Sequence, residues 1–156
     1  MQHQHDDHPV EPAQDALLRH GLRCTRQRVA LYEALYTSKS HPTADELYRT
    51  VGPQVDGLSL ATVYNTLDAF CRVGLVQKLA PSDLDPEGVR GSARYDATTH
   101  NHLHVRCKKT GAVHDVPDDL GQKLLDNLPA DVLAEFESKL GFKIDQVQIE
   151  LLGEYR

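Results

Sequence analysis

At 156 residues, 40% hydrophobic and 26% charged, the chain has room for one medium domain or two small ones. No apolar run approaches the ~20 residues that span a bilayer, and the start, Met1-Gln2-His3-Gln4-His5-Asp6-Asp7, lacks the basic end and apolar stretch of a secretory signal, so a cytoplasmic protein with no membrane partner is expected. The net charge of −6 is unevenly spread: residues 14–80 carry eight Lys/Arg against six acids, and residues 81–156 nine against fourteen. The positive stretch is the one to examine for nucleic-acid binding.

Residues 1–12 are polar and His-rich, with two prolines, and read as a disordered tail. A first helix is expected from Ala13 to His20, closed by Gly21. Thr25 is placed to cap a second helix, in which Val29, Leu31, Tyr32 and Leu35 recur at helical spacing. Thr43-Ala44-Asp45-Glu46 has the capping-box pattern and opens a third helix. Ser59 caps a fourth, with Val63, Leu67 and Phe70 facing inward and Gly74 at its end. Leu75 to Leu79 reads as a strand that begins a β-wing. Helices followed by a two-stranded wing are the winged helix-turn-helix plan.

Pro81 to Gly91 is a polar loop rich in Pro and Gly, suited to a wing tip or hinge. Beyond it, His102 to Cys107 alternates as a strand, with His102 and His104 on one face at roughly 7 Å spacing. Lys108 to Gly111 is a hairpin turn, and Ala112 to Val116 the return strand. Asp118 is placed to cap a helix reaching Leu128, Ala130 to Leu140 forms another ended by Gly141, and Val147 to Leu152 forms a last strand. The fold class expected is α+β: an N-terminal winged helix-turn-helix domain over 13–80, a loop over 81–92, and a small α/β domain for metal binding and dimerisation over 93–156.

The fourth helix presents Ser59, Thr62, Tyr64 and Asn65 on its first turns. Hydroxyls and amides there suit phosphate contacts, Tyr64 suits a thymine methyl, and Asn65 suits a base edge. Such residues also occur on ordinary surface helices; their place between a capped helix and a wing strand favours DNA binding. Asp96, His102, His104 and Asp115 crowd into twenty residues, and His41 stands alone in Ser40-His41-Pro42-Thr43. Imidazoles and carboxylates without thiolates suit iron(II), manganese(II) or zinc(II). The same residues fit polar surface, or a metalloenzyme site that activates water, but no separate general base or nucleophile has a recognisable spacing. A thiol-based redox repressor using Cys24, Cys71 or Cys107 is a further alternative.

Taken together, Gly21 to Arg28, His41 to Tyr48, Ala61 to Leu67, Gly74-Leu75-Val76, Tyr95-Asp96 and His102-Leu103-His104 resemble the ferric uptake regulator (Fur) family of metal-dependent repressors, from about Gln14 to Gly153. The resemblance implies a homodimer binding a palindromic, A/T-rich operator in double-stranded DNA. It further implies one regulatory divalent metal per subunit at His41, Asp96, His102, His104 and Asp115, and a basic residue, Arg23, entering a minor groove. The family's four-thiolate structural zinc is not expected, because Cys107 is followed three places on by Thr110 and no second Cys-x-x-Cys pair follows. A second metal position would fall on Asn101, Leu103, Gln122 and Val147, mostly unable to ligate, with His100 and His114 as spare histidines. Asp115 in place of Glu, and Asn65 after Tyr64, resemble the peroxide-responsive (PerR) branch. That branch implies iron-dependent oxidation of ligating imidazoles, by position His41 and His102. The alternative within the family is a sensor of iron, zinc or manganese levels.

Overall fold

The computed structural model describes residues 11–81, 92–98, 102–145 and 147–155. Most of the expected tail, nearly all of the loop over 81–92, and His100 and Asn101 lie outside the described residues. The chain divides into two compact units, the first holding the described residues up to 98 and the second those from 102 onward.

The first unit contains α1 (Ala13–Arg19), α2 (Arg26–Thr37), α3 (Ala44–Val51), α4 (Leu60–Arg72), β1 (Gln77–Leu79) and β2 (Arg94–Asp96). Three of its helices begin where a hydroxyl satisfies an orphan amide of the first turn. Thr25 accepts from the Arg28 amide, Ser59 accepts from the Thr62 amide, and Thr43 closes a full capping box with Glu46. Val63, Leu67 and Phe70 recur on one face of α4 and are fully buried, each worth roughly 1.5–3 kcal/mol of apolar burial. They pack in one cluster with Leu17, Leu31 and Leu47. The left-handed turn after α4 is supplied by Gly74, at φ 74°, a conformation costly for a residue with a Cβ.

The strand expected over Leu75–Leu79 begins only at Gln77, because Leu75 and Val76 are buried in the core before the ladder starts. Its partner is β2, antiparallel, with Gln77 opposite Asp96 and Leu79 opposite Arg94. Residues 94–96, placed by sequence in the second domain, thus pair within the first unit as the second strand of the wing.

The second unit contains β3 (His104–Cys107), β4 (Val113–Asp115), α5 (Asp118–Asp126), α6 (Ala130–Leu140) and β5 (Glu150–Gly153). Its sheet has the order β4-β3-β5, with β4 antiparallel and β5 parallel to β3. Arg106, buried on β3, pairs with Glu150 of β5 at 2.8 Å, which ties the parallel strand to the centre of the sheet. Gly141, at φ 67°, ends α6 as expected. Asp118 does not cap α5: Pro117 holds that position, with no side-chain cap, and Asp118 is the first helical residue. Proline fits there because its fixed φ and missing amide cost nothing before the first turn. The last strand starts at Glu150, later than Val147.

Candidate metal centre and nucleic-acid face

His41 and Asp96 belong to the first unit. Both are almost completely buried, with His41 Nδ1 3.6 Å from Asp96 Oδ1. His41 has φ 46°, the only described non-glycine residue in the left-handed region, a conformation costing roughly 1–2 kcal/mol with a Cβ present. Its segment is docked on β2: the Tyr95 amide donates to the Pro42 carbonyl at 3.1 Å, and Thr43 bridges to Arg94. The Arg94 guanidinium donates to the carbonyl of His41 at 3.1 Å and to Glu46 Oε2 at 3.2 Å. Tyr95 is buried beside them, and that burial pushes its hydroxyl pKa up to about 12, so the phenol stays neutral. Asp96 Oδ1 also accepts from the Thr98 amide at 2.7 Å, which fixes the carboxylate.

His102, His104 and Asp115 belong to the second unit. Antiparallel pairing of β3 and β4 sets His104 directly opposite Asp115. One carboxylate oxygen, Asp115 Oδ1, lies 3.1 Å from His102 Nε2 and 3.5 Å from His104 Nε2. The imidazole centroids are 4.5 Å apart with the rings tilted by 71°, closer than the 7 Å expected. The reason is that the ladder begins at His104, so strand periodicity does not govern His102. Both imidazoles are buried, whereas Asp115 is partly open to solvent.

The donor set fits a divalent metal. Two ligand atoms about 2.1 Å from a shared ion, at angles of about 90–110°, lie roughly 3.0–3.4 Å apart. The separations of 3.1, 3.5 and 3.6 Å within the two sets are close to that range. Among the described residues, the metal-capable His and Asp side chains include no thiol. Cys24 is exposed, Cys71 is half-buried with its thiol pKa raised by that burial, and Cys107 is buried with its thiol pKa lowered by hydrogen bonds from Thr110. Of the second metal position, Leu103 is buried against Gly121, and Gln122 donates to Asp126.

Ser59, which caps α4, and Tyr64 and Asn65 on it are exposed, and Thr62 is half-buried, its hydroxyl 2.8 Å from that of Ser59. Arg23 is exposed ahead of α2, and its carbonyl accepts from Arg28. The Tyr64 hydroxyl lies 3.3 Å from Asp45 on the first turn of α3. Partial desolvation and the Asp45 carboxylate raise its pKa. Sequence reasoning missed both Asp45 and Arg94. Their partners lie 19 and up to 54 residues away, and no local pattern marks such contacts.

The model of the "Ferric uptake regulator family" matches residues 19–152. The chain belongs to the ferric uptake regulator family. It is 40% identical over 109 residues to the peroxide-responsive repressor PerR of Staphylococcus epidermidis, covering 70% of this chain and 68% of that protein. The peroxide stress regulator of Campylobacter jejuni superposes with a TM-score of 0.62 at 26% identity, covering 91% of this chain and 95% of that one. A zinc-bound manganese uptake regulator shares the fold, with a TM-score of 0.67 at 24% identity over 94% of this chain and all of that one.

Proposed function

We propose that this protein is a metal-dependent transcriptional repressor that senses peroxide through its histidine ligands. One divalent ion per chain, iron(II) or manganese(II) with zinc(II) also accommodated, is held by His41, Asp96, His102, His104 and Asp115. The observation that carries the reading is the division of the ligands. A buried His–Asp pair sits in the unit with the DNA-reading helix, and a His–His–Asp set sits in the other. An ion that needs both sets couples the orientation of the DNA reader to metal occupancy.

The chain's own residues divide the work. Asp96 and Asp115 supply negative charge, and the three imidazoles bind as neutral donors. Iron(II), when bound, supplies the electrons that reduce hydrogen peroxide, which exposes its own imidazole ligands to oxidation. His41 and His102 are the rings we assign as oxidation-sensitive. Oxidation of either removes a ligand and releases the DNA reader. Asp115, Asn65 and the similarity to a staphylococcal peroxide-responsive repressor support the peroxide reading. On DNA, Ser59 and Thr62 contact phosphate, Tyr64 a thymine methyl, Asn65 a base edge, and Arg23 the minor groove of an A/T-rich palindrome bound by a homodimer. The work is non-enzymatic and cytoplasmic; no helix among the described residues is long and apolar enough to cross a membrane.

The test is the mass of iron(II)-loaded protein and its peptides after a brief dose of hydrogen peroxide, beside manganese(II)-loaded protein. Gain of one oxygen on His41 or His102 with iron alone is the expected result. Unmodified histidines would overturn peroxide sensing and leave a sensor of metal level.

A further inference from the structure

We infer that Arg94 is a positioning residue for the metal ligand His41, holding that residue in its left-handed backbone conformation beside Asp96. The inference rests on the reading of His41 as a ligand. Arg94, His41 and Asp96 all lie within the first unit.

A buried histidine at φ 46° stays there only where its surroundings over-determine it. Strand β2 supplies several of the contacts around it. Arg94 Nη1 donates to the carbonyls of Ser40 and His41, at 3.5 and 3.1 Å. The next residue, Tyr95, donates its amide to the Pro42 carbonyl at 3.1 Å. The residue after that is the ligand Asp96. Three consecutive residues of β2 thus grip the loop and supply its carboxylate partner, so His41 and Asp96 share one register.

The guanidinium is suited to this task because its planar fork offers several donors in fixed directions. Its charge is balanced by Glu46 at 3.2 Å, and Glu46 Oε2 also accepts the Thr43 amide at 2.9 Å to close the capping box of α3. The arginine side chain is only 16% exposed, so its hydrogen bonds are partly shielded from competing water. An alanine at position 94 removes this donor from the His41 carbonyl, while the Tyr95 amide contact to Pro42 remains. Partners of this kind, which orient a ligand without touching the ion, typically change metal affinity by about 10–100-fold.

The experiment titrates manganese(II) into full-length wild-type protein, Arg94→Ala, Arg94→Lys, His41→Ala and the Arg94→Ala/His41→Ala double variant, reading free ion by its paramagnetic resonance. Amide exchange of the metal-free proteins gives a second readout. Arg94→Ala is expected to weaken binding by about tenfold or more and to abolish slow exchange at the Tyr95 amide, with Arg94→Lys recovering part of both. In the His41→Ala background, Arg94→Ala should change affinity by less than about twofold, because it acts through a ligand already gone. Should Arg94→Ala fail to fold, Arg94→Lys carries the same cycle with smaller losses. Wild-type affinity in the Arg94 variants, or losses that simply add in the double variant, would overturn the positioning role alone. No manganese binding by the wild type, or no weakening in His41→Ala, would overturn the metal reading and this inference with it.

Discussion

The two units handle apolar surface in opposite ways. In the first, α1 to α4 and the wing close over one cluster, and Leu17, Leu31, Leu47, Val63, Leu67 and Phe70 are fully buried or nearly so. In the second, Leu103 is buried against α5 and Val113 on β4, while Phe136 and Leu140 on α6, Phe142 after it, and Leu151 and Leu152 on β5 are exposed. Three of the four helices of the first unit, α2, α3 and α4, start on capping hydroxyls, whereas α1, like α5 and α6 of the second, follows a proline (Pro12, Pro117 and Pro129) with no side-chain cap. A unit with its own core and caps is suited to be a rigid reader of DNA. One that leaves large apolar side chains on its last strand and helices is suited to a second copy of the chain, in keeping with the homodimer we propose.

The largest expected effect breaks this contrast directly. Leu67→Ala should cost roughly 2–5 kcal/mol in denaturant unfolding, because it empties a closed core. Leu151→Asp should leave the fold intact and lower the mass measured by light scattering from two chains to one. A Leu151→Asp protein that stays dimeric would refute the role given to β5.

Next in size is the metal set of the second unit. His102→Ala should weaken metal binding by more than the ~100-fold upper range for residues that only orient a ligand. It should also remove metal-dependent binding to operator DNA without changing the circular dichroism spectrum. Repression that survived the change would contradict the assignment of His102.

Smaller effects sharpen the account of the reader. Asn65→Ala should cost about 1–3 kcal/mol at a single base pair, measured as binding to a series of single-site operator variants. Arg23→Ala should weaken A/T-rich sites more evenly across the same series. The smallest is Ser59→Ala or Thr25→Ala, each expected to lower stability by about 1 kcal/mol in thermal unfolding. The helices of the second unit have no such hydroxyl to lose.

The same contrast explains what was legible in the sequence. The helices of the first unit were readable because their signals are local. Thr25, Thr43 with Glu46, and Ser59 each bond an amide three residues away, and the apolar residues repeat at helical spacing. The metal-capable His and Asp residues were readable as a pattern, and their chemistry followed from donor type. Pairing over long separations was not readable. The parallel match of β5 to β3 spans more than forty residues, the strand at Arg94 pairs with β1 across the loop that separates them in sequence, and the contact of Arg94 with His41 spans 53 residues. Alternation in the sequence predicts a regular strand through His102 and His104, yet the ladder begins only at the second of them. Each miss is a case where tertiary packing rather than local pattern decides the geometry.

The most direct measurement is an anomalous difference map at the manganese absorption edge, from crystals of manganese(II)-loaded protein. The account predicts one peak per chain, within bonding distance of both His41 and His102. A peak ligated from one unit alone, or separate peaks at the two ligand sets, would contradict it.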